Sequence, residues 1–289
     1  MLVSLKEILA RSIEEKYAVG AFNVTNHQMV EAIIEAAEST DVPVIINIAE
    51  VHFKYLDLKK FLPYLKNRIE ASFVPIALHL DHGLSFETVI KAIRLGFSSV
   101  MIDASSLPFE ENVALTAKVV EAAHAAGISV EAELGHVAGG EGNLDGGTEV
   151  NRDTFTHPEE AKKYVAKTGI DALAVAIGTV HGPYKGQPEL DFDLLVKLRK
   201  EVDIPLVLHG GSGLNDSDFR KAIELGINKV NFYTQNSIQA VEAIYRQIRD
   251  TKGKIGFPEL TLTAQSEILK QTKKQIELFG TKSLNIKNK

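Results

Sequence analysis

The chain has no cysteine in 289 residues. That excludes disulfides and thiolate ligands, so any bound metal must be held by His, Asp or Glu. No stretch approaches the roughly 18 consecutive apolar residues of a membrane span. No basic cluster is present either. The 32 Lys and Arg are scattered among 38 Asp and Glu for a net charge of −6, which argues against a nucleic-acid partner. Linker-like stretches, low-complexity tracts and short repeats are missing, so a single domain over 1–289 is expected, with a C-terminal extension from about 251. The N-terminal run MLVSLKEILARSIEEK lacks a long apolar core and a small-residue cleavage site, and is therefore read as no signal peptide. A cytoplasmic location away from membranes is the expectation. No glycine-rich dinucleotide fingerprint follows the first apolar run, which counts against a doubly wound nucleotide-binding sheet.

What is present is an alternation of short apolar runs with longer segments of helical period, the pattern of repeated strand–helix units around a parallel sheet. Strands are predicted near 18–24, 43–48, 75–80, 98–102, 129–133, 171–177, 205–209 and 228–233. Helices are predicted near 26–39, 57–71, 85–95, 109–126, 157–167, 191–201, 215–225 and 234–250. Eight such units, with continuous rather than alternating apolarity, fit an α/β fold closed as a (β/α)8 TIM barrel. Segment 2–16 reads as an extra N-terminal helix covering the bottom of the barrel, and 261–279 as a helix in the tail. The two longest loops, 134–156 and 178–190, both fall on the face where strand C-termini converge, and loops that long are usually functional.

Three histidines stand at the ends of three predicted strands, and each is followed by glycine. They are His82 in PIALHLDHG, His181 in DALAVAIGTVHG and His209 in IPLVLHGGSG. Neutral imidazole is the commonest zinc ligand, and a catalytic zinc takes three protein ligands plus an open position. Asp81 lies directly before the first of them, where a carboxylate can move protons. His27, His52, His124 and His157 read as ordinary hydrogen-bonded core or surface residues, and His79 as pointing inward. His136 is left open. Glu131 and Glu133 share a strand face, so both point into the barrel or both out; a salt bridge and a metal are the two ways to partner them. Asp103 closes the fourth strand. HGGSG at 209–213 leads to Asn215, a good N-cap, and glycines there let backbone N–H groups approach an anion.

These segments together resemble the class II, metal-dependent ketose-bisphosphate aldolases over nearly the whole chain. The matching runs are GAFNV (20–24), LHLDHG (78–83), FSSVMIDAS (97–105), VEAELG (130–135), IDALAVAIGTVHG (170–182) and IPLVLHGGSG (204–213). The resemblance implies reversible cleavage of a ketose phosphate, with fructose or tagatose 1,6-bisphosphate the foremost substrates. The products would be dihydroxyacetone phosphate and an aldehyde. It implies one catalytic Zn2+ per chain on His82, His181 and His209, and a second cation position, divalent or monovalent, at Asp103 and Glu133. Asp81 resembles the proton carrier at the C4 hydroxyl. Gly182, Gly210, Gly211, Ser212, Asn231 and Thr234 resemble the dihydroxyacetone-phosphate site, and Asn23 a substrate-positioning residue. A homodimer or homotetramer is implied as well. A metal-dependent isomerase or epimerase, and an impaired sugar-phosphate binder, are the other readings.

The departures are specific. The family's GGEED-like loop reads GGEGN here, so Gly142 stands at its second acid, and Glu141 is taken as the loop acid in its place, ahead of Asp145 and Glu149. The family's NVNTE-like run reads Asn231-Phe232-Tyr233-Thr234-Gln235, the serine after the second strand is Ala49, and the tail lacks an Arg-containing segment.

Overall fold

The structure, a computed structural model, describes residues 1–139, 149–182, 184–186 and 188–284. Eight parallel strands close into a barrel in sequence order: β1 Val19–Asn23, β2 Val44–Ala49, β3 Ile76–Gly83, β4 Ser99–Ile102, β5 Ser129–Leu134, β6 Ala172–Val175, β7 Leu206–Leu208 and β8 Ile227–Phe232. β8 pairs with β1 to complete it, with Val19 beside Lys229 and Ala21 beside Asn231. Every strand residue is buried, because one face meets the helices and the other fills the barrel.

The helices start where the chain supplies caps. Asn26 accepts from the Met29 N–H at the start of α3 (His27–Thr40), and Ser85 from Thr88 at α5 (Phe86–Arg94). Asp57 and Asp191 begin α4 (Leu58–Ala71) and α8 (Phe192–Glu201) in the same way. Asn215 accepts from the Asp218 N–H at α9 (Asp216–Glu224), as its N-cap reading anticipated. α6 (Phe109–Ala125), α7 (Pro158–Thr168) and α10 (Thr234–Asp250) complete the outer ring.

One sequence expectation changes in form. Segment 2–16 is two short helices, α1 Leu5–Leu9 and α2 Ser12–Glu15, not one. The Ser12 hydroxyl donates to the Leu9 carbonyl at 2.7 Å, so a side chain takes an acceptor that helix continuation would use. α1 still closes the barrel floor: Leu5, Ile8 and Leu9 pack with Val19, Ala21, Ile45, Ala77, Met101, Ala172 and Val207. The tail helix α11 is longer than expected, Phe257–Phe279, because Pro258 fits its first turn. Among the described residues no helix is long and apolar enough to cross a membrane.

A strand period of two carries this layering upward. Ala21, Ala77, Met101 and Val207 line the floor, so the residues two and four places on line the upper interior. Those are Asn23, His79 and Asp81, Asp103, and His209. The barrel is thus apolar below and polar at its C-terminal end, where these folds carry their sites.

Candidate metal centre and active site

His82 breaks the period. As the neighbour of inward-facing Asp81 it should point outward, yet its backbone is left-handed (φ 44°) and the β3–β4 register shifts between Leu80 and Gly83. This irregularity turns its ring inward, at a backbone cost of about 1–2 kcal/mol. The following glycine is a steric requirement. A Cβ on Gly83 would lie 2.6 Å from the Met101 carbonyl oxygen, and one on Gly210 (φ 67°) 2.4 Å from that of Val180.

The three predicted histidines converge. His82 Nε2 lies 3.1 Å from His181 Nε2 and 2.8 Å from His209 Nδ1, with the rings nearly perpendicular. The far nitrogen of each ring faces an acceptor. His82 Nδ1 donates to Asp103 Oδ2 at 2.7 Å, His209 Nε2 to Glu131 Oε1 at 2.9 Å, and His181 Nδ1 to the Val137 carbonyl at 3.3 Å. An acceptor on the far side holds the proton there, so the three near nitrogens present lone pairs to one another. Three lone pairs crowded into a buried space repel unless a cation lies among them. The donor set, three neutral imidazoles braced by two carboxylates and a carbonyl, fits a divalent metal.

The electrostatics point the same way. Burial opposes charge on His82, but Asp81 and Asp103 outweigh it and push its pKa up to about 10. Burial lowers His181 and His209, with His82 adding to the effect. The cluster therefore calls for one positive centre, which a metal ion supplies without a proton. A second set, His82, Asp103 and Glu133, also brings its ligand atoms within 4.8 Å of one another. Burial, with Asp103 close by, pushes the Glu133 carboxyl up to about 8, and its Oε2 has no partner among the described residues. That unsatisfied oxygen suits a cation or a retained proton.

Asp81 is fully buried and stands outside both sets. Burial would raise its carboxyl, but the neighbouring His82, His209 and Lys229, with the Asn23 amide, hold it well below the usual carboxylate range. Asn23 Nδ2 donates to one oxygen at 2.8 Å and Asn231 Nδ2 to the other at 2.9 Å. Both asparagines are thus brought to Asp81, and the Asn231 backbone also adjoins Gly211, where a Cβ would lie 3.2 Å from its carbonyl oxygen.

That loop meets the N-terminus of α10. Ser212 Oγ accepts from the Gln235 N–H at 3.2 Å, Thr234 is buried beside it, and Gly182 (φ 78°) follows His181. Backbone N–H groups and a helix N-terminus meeting in this way suit an anion. Of the loop acids, Glu141 and Asp145 lie outside the described residues, as does Gly142; Glu149 is exposed and pairs with Lys185 at 2.6 Å.

The sequence reading did not single out Lys229. Fully buried in β8, it donates to Glu131 Oε1 at 3.0 Å and forms an ion pair with Oε2 at 2.8 Å, beneath His209. His79 stands near the same carboxylate at 3.6 Å and bonds Ser99. The signal was a lone lysine inside an apolar strand, two residues from Asn231 and so on the same inner face. Its removal should be costly: Lys229→Met leaves a buried carboxylate unpaired, an expected loss of about 3–5 kcal/mol. Urea unfolding of the variant measures this, and a loss below about 1 kcal/mol would contradict the pairing.

The other histidines are dispersed. His27 packs edge-on to Phe61 and Tyr64, His124 bonds Asp171, and His136 bonds Ser105. His157 stands exposed before α7. His52 is buried, with Nδ1 unpartnered among the described residues.

Comparison with known proteins gives concordant matches. The family model for class-II fructose-bisphosphate aldolase matches residues 3–283. The fructose-bisphosphate aldolase of Staphylococcus aureus is 44% identical over 287 residues, covering 97% of this chain and 98% of that protein. That of Staphylococcus epidermidis is 43% identical over 285 residues, with 97% and 98% covered. The crystal structure of the YdjI aldolase from Escherichia coli K12 superposes with a TM-score of 0.86 at 34% identity, covering 97% of this chain and 98% of that one.

Proposed function

The chain belongs to the class II fructose-bisphosphate aldolase family, and from that premise we propose that it reversibly cleaves a ketose 1,6-bisphosphate into dihydroxyacetone phosphate and an aldehyde phosphate. The observation that carries this reading is the triad of facing imidazole lone pairs with the amide-held Asp81 beside it. His82, His181 and His209 would hold one zinc, and Asp103 and Glu133 a second cation position. Bound there, zinc supplies Lewis-acid charge for the enediolate left when the C3–C4 bond breaks, a role that three neutral ligands leave at full strength.

The chain's own residues do the rest. Asp81 takes the C4 hydroxyl proton as the bond breaks and returns it in the reverse direction. Asn23 and Asn231 fix both its oxygens, so the carboxylate meets the substrate in one orientation. Gly182, Gly210, Gly211, Ser212 and Thr234 bind the phosphate next to the ketone through backbone N–H groups and hydroxyls. Glu141 is assigned the C3 proton exchange. Glu131 and Lys229 keep the His209 proton on Nε2 and its lone pair on Nδ1. The protein is further read as a cytoplasmic homodimer or homotetramer, which cell fractionation and sedimentation velocity measure.

The test is product analysis of zinc-loaded protein with fructose and tagatose 1,6-bisphosphates. Dihydroxyacetone phosphate is expected from at least one, and its C3 hydrogen exchange is expected to slow in Glu141→Ala. Interconversion of the sugars without triose release would replace the aldolase reading with an isomerase.

A further inference from the structure

The turn after β2 and the end of β8 meet in space. Ala49 ends β2 opposite Asp81 in the sheet register. The 3-10 turn Glu50–His52 then carries His52 to the Tyr233 ring, with centroids 4.5 Å apart. Glu50 anchors that turn, accepting from Thr88 Oγ1 at 2.8 Å and from the Leu84 N–H at 2.7 Å. Tyr233 immediately precedes α10, whose N-terminus adjoins Ser212. His52 is therefore close enough to feel the Asp81 carboxylate and packs on the residue that precedes α10.

The imidazole is only 2% exposed, and its Nδ1 has no hydrogen-bond partner among the described residues. A buried polar atom left unpaired costs stability, so each one in a native structure calls for something that would satisfy it. Burial drives this ring's pKa down to about 4 against the opposing pull of Asp81, so it is neutral at neutral pH. A neutral imidazole offers one donor and one acceptor on different ring nitrogens, so the unpartnered Nδ1 either donates or accepts according to tautomer. A hydroxyl, which both donates and accepts, can meet it in either state. An ionised phosphate only accepts, and backbone N–H groups already serve it nearby.

We propose that His52 is a substrate-positioning residue that hydrogen-bonds a hydroxyl of the bound ketose phosphate, with Tyr233 holding its ring in place. The assignment rests on the aldolase reading given above. It makes His52 a determinant of which sugar is accepted, because a partner hydroxyl of the wrong configuration would leave the imidazole unpaired.

The test uses His52→Phe, which keeps an aromatic ring against Tyr233 and removes both ring nitrogens, and His52→Gln, which restores a donor and an acceptor. Both are made in zinc-loaded Asp81→Ala protein, so that the sugar is not consumed, and titrated calorimetrically with fructose 1,6-bisphosphate and with inorganic phosphate. His52→Phe is expected to weaken sugar binding by about tenfold or more, the worth of one hydrogen bond at the upper end of the usual range. Phosphate affinity and zinc content should stay unchanged, and the melting temperature should rise as the unpaired nitrogen is removed. His52→Gln should recover part of the sugar affinity. Sugar binding within about twofold of the His52-intact protein, or equal weakening toward sugar and phosphate, would overturn the assignment and leave the aldolase reading in place. If the His52-intact protein binds phosphate but not fructose 1,6-bisphosphate, the substrate reading fails and the assignment falls with it.

Discussion

Stripping the protein of metal with a chelator should abolish carbon–carbon cleavage while leaving the barrel folded, and zinc should restore it. The expectation follows from how the donors are held. Each imidazole is oriented by an acceptor on its far nitrogen, so the three near lone pairs are set by the fold before any ion arrives. The apolar floor and the Glu131–Lys229 pair do not depend on the metal, so the apoprotein keeps its shape. Purified protein should carry about one zinc per chain, the stoichiometry of a three-histidine catalytic site. Alanine at His82, His181 or His209 should lower zinc content and turnover together. Loss of one bracing group, as in Glu131→Gln, should cost about 10–100-fold in metal affinity or activity. Metal analysis beside turnover measures each variant, and full activity in a metal-free preparation would end the metal reading.

The second large effect is expected at Asp81. Asp81→Ala should keep its zinc and its phosphate affinity, yet lose about 10²–10⁴-fold in turnover, the usual worth of a positioned acid–base group. The carboxylate lies next to a triad member in sequence but outside both candidate ligand sets, and its oxygens are taken by Asn23 and Asn231. Two amide donors and the neighbouring His82, His209 and Lys229 keep it ionised and ready to accept a proton. Replacing it removes that acceptor and leaves the imidazole bracing intact. A variant whose zinc content falls in proportion to its activity would show that Asp81 builds the site and does not carry the proton.

Much of this was legible in sequence because it depends on local pattern. Continuous apolar runs between capped helical segments locate all eight strands within a few residues, and the His-Gly pairs fall on one face, His82 near the end of β3, His209 directly after β7 and His181 in the loop that follows β6. The inward direction of His79 is legible in sequence, and that of Asn23 follows once the floor residue Ala21 is known, whereas the direction of Glu131 waits for the register that sets it beside Met101. What pattern could not supply is contact between distant strands. The pairing of Asn231 with Asp81 joins residues 150 apart, and that of Lys229 with Glu131 joins residues 98 apart. Both depend on barrel register. The inward turn of His82 runs against the strand period and depends on a left-handed residue and a register shift that LDHG does not announce. His52 reads as an ordinary core histidine, and its contact with Tyr233 beside the start of α10 joins segments that sequence pattern does not connect.

The most direct measurement of the central claim is anomalous diffraction at the zinc edge from crystals of the zinc-loaded protein. One strong peak is expected per chain, bonded to Nε2 of His82, Nε2 of His181 and Nδ1 of His209, because the far nitrogens of these rings are committed to Asp103, Val137 and Glu131. The absence of a peak at the triad, or zinc held only by surface carboxylates, would contradict the account.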